Sequence, residues 1–269
     1  YGLGGNALDA EASAKIYAAK GRPSDNPLIV HIADWEAIGA IVSEIPEAAK
    51  RLADAFWPGP LTMILNKSDL VPYATTGGLE TVAVRMPVNP IARALIRAGG
   101  GYVAAPSANT SGRPSPTKAE HVAEDLNGKI DMIIDGGTVD IGLESTIVDL
   151  TDGAPTILRP GYINQEMLTK VLGEVEMDRG LIAPESGVHP KAPGMKYRHY
   201  APKADLIIVE GEAEKVRRKI NELVQQQISE GKKVGVIGTD ESLSYYKDGD
   251  VRSIGSRKDE ITIAQHLFG

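Results

Sequence analysis

The chain has 269 residues, 42% hydrophobic and 24% charged, with 29 Gly and 17 Pro; at roughly 150 residues per domain it holds one large domain or two unequal ones, and its balance excludes disordered, collagen-like and coiled-coil chains. The absence of cysteine excludes disulfide scaffolds, Cys-zinc sites, thiol catalysis and iron–sulfur clusters, and suits a reducing cytoplasm. A net charge of −7 argues against strong direct binding of nucleic acid, and no run reaches the ~18 apolar residues of a membrane span.

Residues 9–20 carry Ala and Ile at helical spacing, open with acids and stop at Gly21, which predicts a helix. A short strand follows at 28–32, then a helix at 46–56 behind Pro46 and a rigid turn at Trp57-Pro58-Gly59-Pro60. Runs at 61–65 and 81–86 read as strands, 90–98 as a helix, and 102–105 as a strand entering Pro106-Ser107. Thr117 and Glu120 have the spacing of a capping box for a helix ending at Leu126. Strands at 131–134, 145–150 and 156–158 and a helix at 164–172 complete an α/β domain with a twisted mixed sheet over residues 1–179. Residues 180–202 are a linker by their prolines and glycines, and an unstructured connection of that length is expected to act as a lid. After it, ADLIIVEG reads as a strand, 213–231 as a long amphipathic helix and KKVGVIGTD as a second strand, so 203–269 opens as a small Rossmann-like α/β domain.

Polar residues gather at the predicted strand ends. Lys20 suits a helix C-terminus simply as a dipole partner, but Arg22, between Gly21 and Pro23, leads toward Asn26 and His31, a mixture of guanidinium, amide and imidazole that favours phosphate. His31 within an apolar strand also reads as a satisfied core histidine. The turn Pro106-Ser107-Ala108-Asn109-Thr110-Ser111-Gly112 offers hydroxyls and backbone N–H groups, although Ser107 lacks the frame of a nucleophile elbow. A period of two puts Thr81, Ala83 and Arg85 on one strand face, where Arg85 is either solvated or part of a site. Glu144-Ser145-Thr146 and Arg159-Pro160-Gly161 decorate two further strand ends. Taken together, these clusters point to an anionic-ligand cleft.

The runs YGLGGNA, KGRPSDNPLIVHI, FWPGPLT, TVAVRMP, APSANTSGRPSPT, ESTIVD, LRPG and KYRHYAPKA, in that order, resemble the YrdC-like threonylcarbamoyl-AMP synthase family in its long two-domain form. The resemblance implies condensation of L-threonine, bicarbonate and ATP to threonylcarbamoyl-AMP and pyrophosphate, the first step toward threonylcarbamoyladenosine in tRNA, with downstream transfer machinery as partner. It implies that Lys20-x-Arg22 and Ser107-x-Asn109 are the signature pair, with Lys20 and Arg22 serving the chemical step. Lys20, Arg22, Asn26, Thr81, Ser107, Asn109, Ser115, Arg159 and Tyr200 fall on nucleotide contacts, and His31, Arg85, Ala105 and Ser145 on the threonine side. Mg²⁺ is expected to ride on the ATP phosphates, since no carboxylate cluster offers a cage.

Family members carry a Pro-Thr-Glu-Thr segment, with a threonine-contacting residue, just before Tyr-Gly-Leu-Gly. Here the sequence starts at Tyr1, so an N-terminal segment reads as missing and the small domain as truncated. Two alternatives share the fold. One is a carbamoyl-adenylate-forming enzyme that uses carbamoyl phosphate, whose zinc-binding cysteines this chain lacks. The other is an RNA-binding module without catalysis, opposed by the acidic balance and the lack of a basic-aromatic stripe.

Overall fold

Strand periodicity and helix punctuation decide most of the architecture. The structure, a computed structural model, describes residues 1–178 and 204–267. It divides into two compact units, one of Tyr1–Val139 with Glu144–Tyr200 and the other of Asp140–Leu143 with Ala201–Gly269. In the first, β1 (Gly5–Asn6), β2 (Ile29–His31), β3 (Leu61–Asn66), β4 (Thr81–Arg85), β5 (Val103–Ala104), β6 (Thr146–Asp149), β7 (Thr156–Arg159) and β8 (Glu176–Met177) form one sheet in the order β1-β5-β2-β4-β3-β6-β7-β8. The sheet is mixed, because β2–β4 and β3–β6 run parallel while β3–β4, β2–β5 and β6–β7 run antiparallel.

Helix α1 (Ala10–Lys20) starts where the Asp9 side chain accepts from Glu11 N and stops where Gly21 turns left-handed at φ 59°, as its punctuation requires. A short helical stretch (Trp35–Ala37, then α2, Ile38–Ile41) leads to α3 (Glu47–Phe56). Then come α4 (Tyr73–Thr76), α5 (Pro90–Ala98), α6 (Ala119–Leu126) and α7 (Gln165–Leu172), the last capped by Asn164 on Met167 N. One face of the sheet, with Val30, Met63, Leu65, Val82, Val84 and Val148, packs into the main core with Ile16 and Tyr17 of α1, Leu52 of α3, Leu126 of α6 and Leu168 of α7. The opposite face carries a second, smaller cluster of Ile29, Ile64, Ala83, Ile147 and Leu158.

Several predicted elements differ. Residues 131–134 form no strand, and Met132 is 67% exposed: the β-type sequence finds no partner backbone among the described residues. The capping box does not form, because the N-cap falls one residue later at Lys118, which makes no side-chain cap bond. Thr117 N instead donates to His121 Nδ1 at 3.3 Å. The short helices at 35–41 and 73–76 carry no strong sequence signal.

In the second unit the helix Ala213–Ser229 precedes Gly235–Gly238, which pairs in parallel with Asp250–Ser253, and the helix Glu260–His266 follows. The predicted strand ADLIIVEG is not one. Leu206, Ile207 and Ile208 are exposed and unpaired with the described residues.

Two glycines constrain the site's scaffold differently. A Cβ on Gly21 would meet nothing within 4 Å, whereas one on Gly161 would stand 2.5 Å from Glu144 O and 2.7 Å from Thr146 N. Gly21→Ala therefore costs only the left-handed backbone penalty, about 1 kcal/mol, while Gly161→Ala must push two strand ends apart and costs more. Urea denaturation of the two variants checks the order, and a Gly21 variant that is the less stable of the pair contradicts it.

Candidate active site

Because side chains alternate sides along a strand, register decides which of them share the face opposite the helices. Ile29 pairs with Ala83 and His31 with Arg85; across the β3–β4 ladder Ile64 faces Ala83, Thr62 faces Arg85 and Asn66 faces Thr81. The apolar residues in these rows belong to the smaller cluster, so a polar band flanks it at each end. At a rise of about 3.3 Å per residue, Thr81 and Arg85 mark bands about 13 Å apart.

The band at Arg85 is cationic and hydroxyl-rich. Arg85 Nε donates to Gly59 O at 3.2 Å, and its pKa is held down to about 10, first by burial and then by the neighbouring Arg159 cation. Arg159 donates to Ser145 O and Ser145 Oγ, both at 3.0 Å, and pairs with Glu144 Oε2 at 3.1 Å. Glu144 Oε1 accepts from Ser115 Oγ at 3.0 Å, and Ser145 Oγ shares a hydrogen bond with Thr62 Oγ1 at 2.7 Å. The His31 ring lies against Ile29 O, Nδ1 at 3.1 Å. Burial, then Arg85, pushes its pKa to about 3, so the imidazole is neutral at physiological pH.

The other band is built on the loop after α1. Arg22 Nη2 donates to Pro27 O at 2.9 Å and Asn26 O at 3.3 Å, and Tyr17 Oη donates to Asn26 O at 3.2 Å. Ile29 O accepts from Ala105 N at 2.9 Å, which sets Ala105 beside Ile29 and sends residues 106–109 toward this loop. Lys20 is 2% exposed. Its ammonium donates to the backbone oxygens of Ser107 and Asn109 and, at 3.4 Å, to Asn109 Oδ1. Burial, then Arg22, lowers its pKa to about 7. The two signature motifs are thus one hydrogen-bonded unit, with Lys20 inside the turn.

The sheet face carries His31, Thr81, Arg85, Ala105, Ser145 and Arg159; Arg22 and Asn26 stand on the loop that leads into β2 at the Thr81 end, and the turn that Lys20 grips carries Ser107 and Asn109. Ser115 and Arg159 join Ser145 through Glu144, so the two assigned ligand groups interlock. Tyr200 and the 180–202 linker lie outside the described residues. Sequence reasoning missed Thr62, whose signal was its place on the Ile64 face of an alternating run, and Asp125, which accepts from Thr110 N at 2.8 Å.

Arginines and hydroxyls gathered at one end of a sheet face suit an anionic ligand, and the comparisons with known proteins place the chain among enzymes. A family model described as "Telomere recombination" matches residues 1–161, and one described as "Threonylcarbamoyl-AMP synthase, C-terminal domain" matches residues 163–269. The threonylcarbamoyl-AMP synthases of Pyrococcus abyssi and Bacillus subtilis are 55% and 50% identical, each aligned over all of this chain and over 77% and 76% of their own lengths. A crystal structure of P. abyssi Sua5 complexed with L-threonine superposes with a TM-score of 0.91 at 52% identity, covering all of this chain and 77% of that one. The chain belongs to the YrdC-like threonylcarbamoyl-AMP synthase family, in its two-domain form.

Folded His31 stays neutral down to about pH 3, whereas an unfolded histidine takes up its proton below about 6.5. Its contribution to stability is complete above the unfolded value and is lost as pH falls from there toward the folded one. Urea melts between pH 7 and 4.5 should show a steeper loss for the unsubstituted chain than for His31→Gln. Equal slopes would remove the neutral buried imidazole.

Proposed function

We propose that this chain makes L-threonylcarbamoyl-AMP and pyrophosphate from L-threonine, bicarbonate or CO2, and ATP, the first step of threonylcarbamoyladenosine formation in tRNA. The observation that carries the reading is the convergence of Arg85, Arg159, Ser145 and His31 at one end of a sheet face, with Thr81 and the Arg22–Asn26 loop at the other. In this reading the threonine amine takes up CO2 to give an N-carboxylate, which attacks the α-phosphorus of ATP as pyrophosphate leaves. Bringing two anions together is the main obstacle, and fixed guanidinium groups lower it more than mobile water does. Arg85 holds the threonine carboxylate, beside neutral His31, Ala105 and Ser145. Arg22, Asn26, Thr81, Ser107, Asn109, Ser115 and Arg159 bind the nucleotide, with Tyr200 as a further contact, and Lys20 organises the turn between them.

Mg²⁺ enters on the triphosphate. Among the described residues no three His, Cys, Asp or Glu side chains converge to hold a metal ion, and Glu144 is already shared by Ser115 and Arg159, a donor set that suits an ion bound by phosphate and water. When bound it screens the phosphate charge. Among the described residues no helix is long and apolar enough to cross a membrane. We place the activity in the cytoplasm, with the labile product passed to the machinery that modifies tRNA.

Pyrophosphate release should require threonine and bicarbonate together, and mass spectrometry of the product should give the mass of threonylcarbamoyl-AMP. Release with carbamoyl phosphate in their place would assign the chain to the other adenylating chemistry. Arg22→Ala should weaken ATP binding by roughly 2–4 kcal/mol, while Arg51→Ala, whose side chain reaches Val171 O on α7, should leave it unchanged. Arg85→Lys should lose threonine binding and keep ATP binding, because a point charge does not replace the guanidinium fork. Calorimetry on the three variants decides, and matched ATP affinities for Arg22→Ala and Arg51→Ala would overturn the role of Arg22.

A further inference from the structure

The turn over residues 107–113 is gripped from two sides. From α1, Lys20 holds Ser107 O, Asn109 O and Asn109 Oδ1, and Lys20 O accepts from Ser111 N at 2.9 Å. From α6, Asp125 Oδ2 accepts from Thr110 N at 2.8 Å, and Oδ1 accepts from Arg113 Nη1. Asn109 Nδ2 closes the turn internally on Thr110 O and Arg113 O at 2.9 and 2.8 Å. The Asp125 side chain is 4% exposed and sits in the last turn of α6, where the helix dipole disfavours an anion and burial adds a desolvation cost. Helix stability alone would favour a neutral residue there, so the carboxylate answers to its partners in the turn.

We infer that Asp125 is a positioning residue for the nucleotide site: its two oxygens fix Thr110 and Arg113, whose carbonyls hold the Asn109 side chain, in the same turn whose Ser107 and Asn109 carbonyls are held by Lys20. The inference rests on the reading of this turn as nucleotide-binding. It assigns no contact with substrate to Asp125. The charged groups that act on Lys20 are Arg22 from its own loop, Asp125 from α6 and Glu144 ahead of β6, and the two carboxylates favour the charged ammonium that Arg22 and burial disfavour. Removing one carboxylate must therefore shift Lys20 further down.

The test uses the full chain and Asp125→Asn, which keeps the shape and one acceptor. The KM for ATP in pyrophosphate release should rise about tenfold with kcat little changed, the signature of lost binding common to ground and transition states. An NMR titration of the Lys20 side chain, assigned by its loss in Lys20→Met, should show a midpoint near 7 in the unsubstituted chain and a lower one in Asp125→Asn. An unmoved midpoint, or an unmoved KM, overturns the proposal. Arg113→Gln is a second variant, since that side chain is 57% exposed and its loss spares the core; KM for ATP should rise about threefold, and an unchanged value overturns the proposal even if Asp125→Asn does not fold. An unsubstituted chain that releases no pyrophosphate defeats the functional reading instead, and the Lys20 midpoint then decides the role of Asp125 alone.

Discussion

A lysine ammonium cannot be buried without oxygens around it, and in this chain that requirement joins two segments nearly ninety residues apart. Helix α1 ends on Lys20, Gly21 turns the chain away, and the lysine side chain runs inward to the 107–109 backbone. Once the turn is drawn onto Lys20, its amides and hydroxyls point where they do because their carbonyls are already engaged. Arg22, two residues on, is aimed by the same helix end. The depressed pKa of Lys20 is the electrostatic cost of using a cation as a structural bolt, and it leaves that bolt sensitive to every nearby carboxylate.

The second constraint is the one-sided distribution of helices. Because α1, α3, α6 and α7 all pack on the Val30–Val84 face, the opposite face is free to be chemically specialised. Mixed strand direction then allows four strands to bring polar residues to one place from different ends of their sequences: His31 and Arg85 at strand C-termini, Thr62 and Ser145 near strand N-termini. An all-parallel sheet would concentrate such residues in its C-terminal loops. Here several of them stand on the strands, where rotamers and register hold them more tightly than a loop does.

Much of this was legible in the sequence, and the failures are instructive. Asp9 and Gly21 bound α1 because capping is local chemistry, and the alternation in 81–85 assigned Arg85 to the Ala83 face correctly because period two is a property of the backbone. Residues 131–134 and 204–211 have equally good strand composition, but a strand exists only when another backbone accepts its hydrogen bonds, and composition does not reveal that. Thr62 was hidden in an apolar run. Asp125 was invisible for a different reason: an acid near a helix end reads as solvated, and its partners Thr110 and Arg113 become its partners only after the turn folds back onto α6. Thr117 misled because the capping box is defined by one register, and the helix began one residue later.

The distribution of charge carries a further consequence. The chain as a whole is anionic, at −7, yet Arg85 and Arg159 stand together at one end of a sheet face, and Arg22 stands on the loop after α1 beside the buried Lys20. Screening confines each charge to a reach of about 8 Å at physiological ionic strength, so an anion within that distance of these cations feels them more strongly than it feels the net charge of the chain.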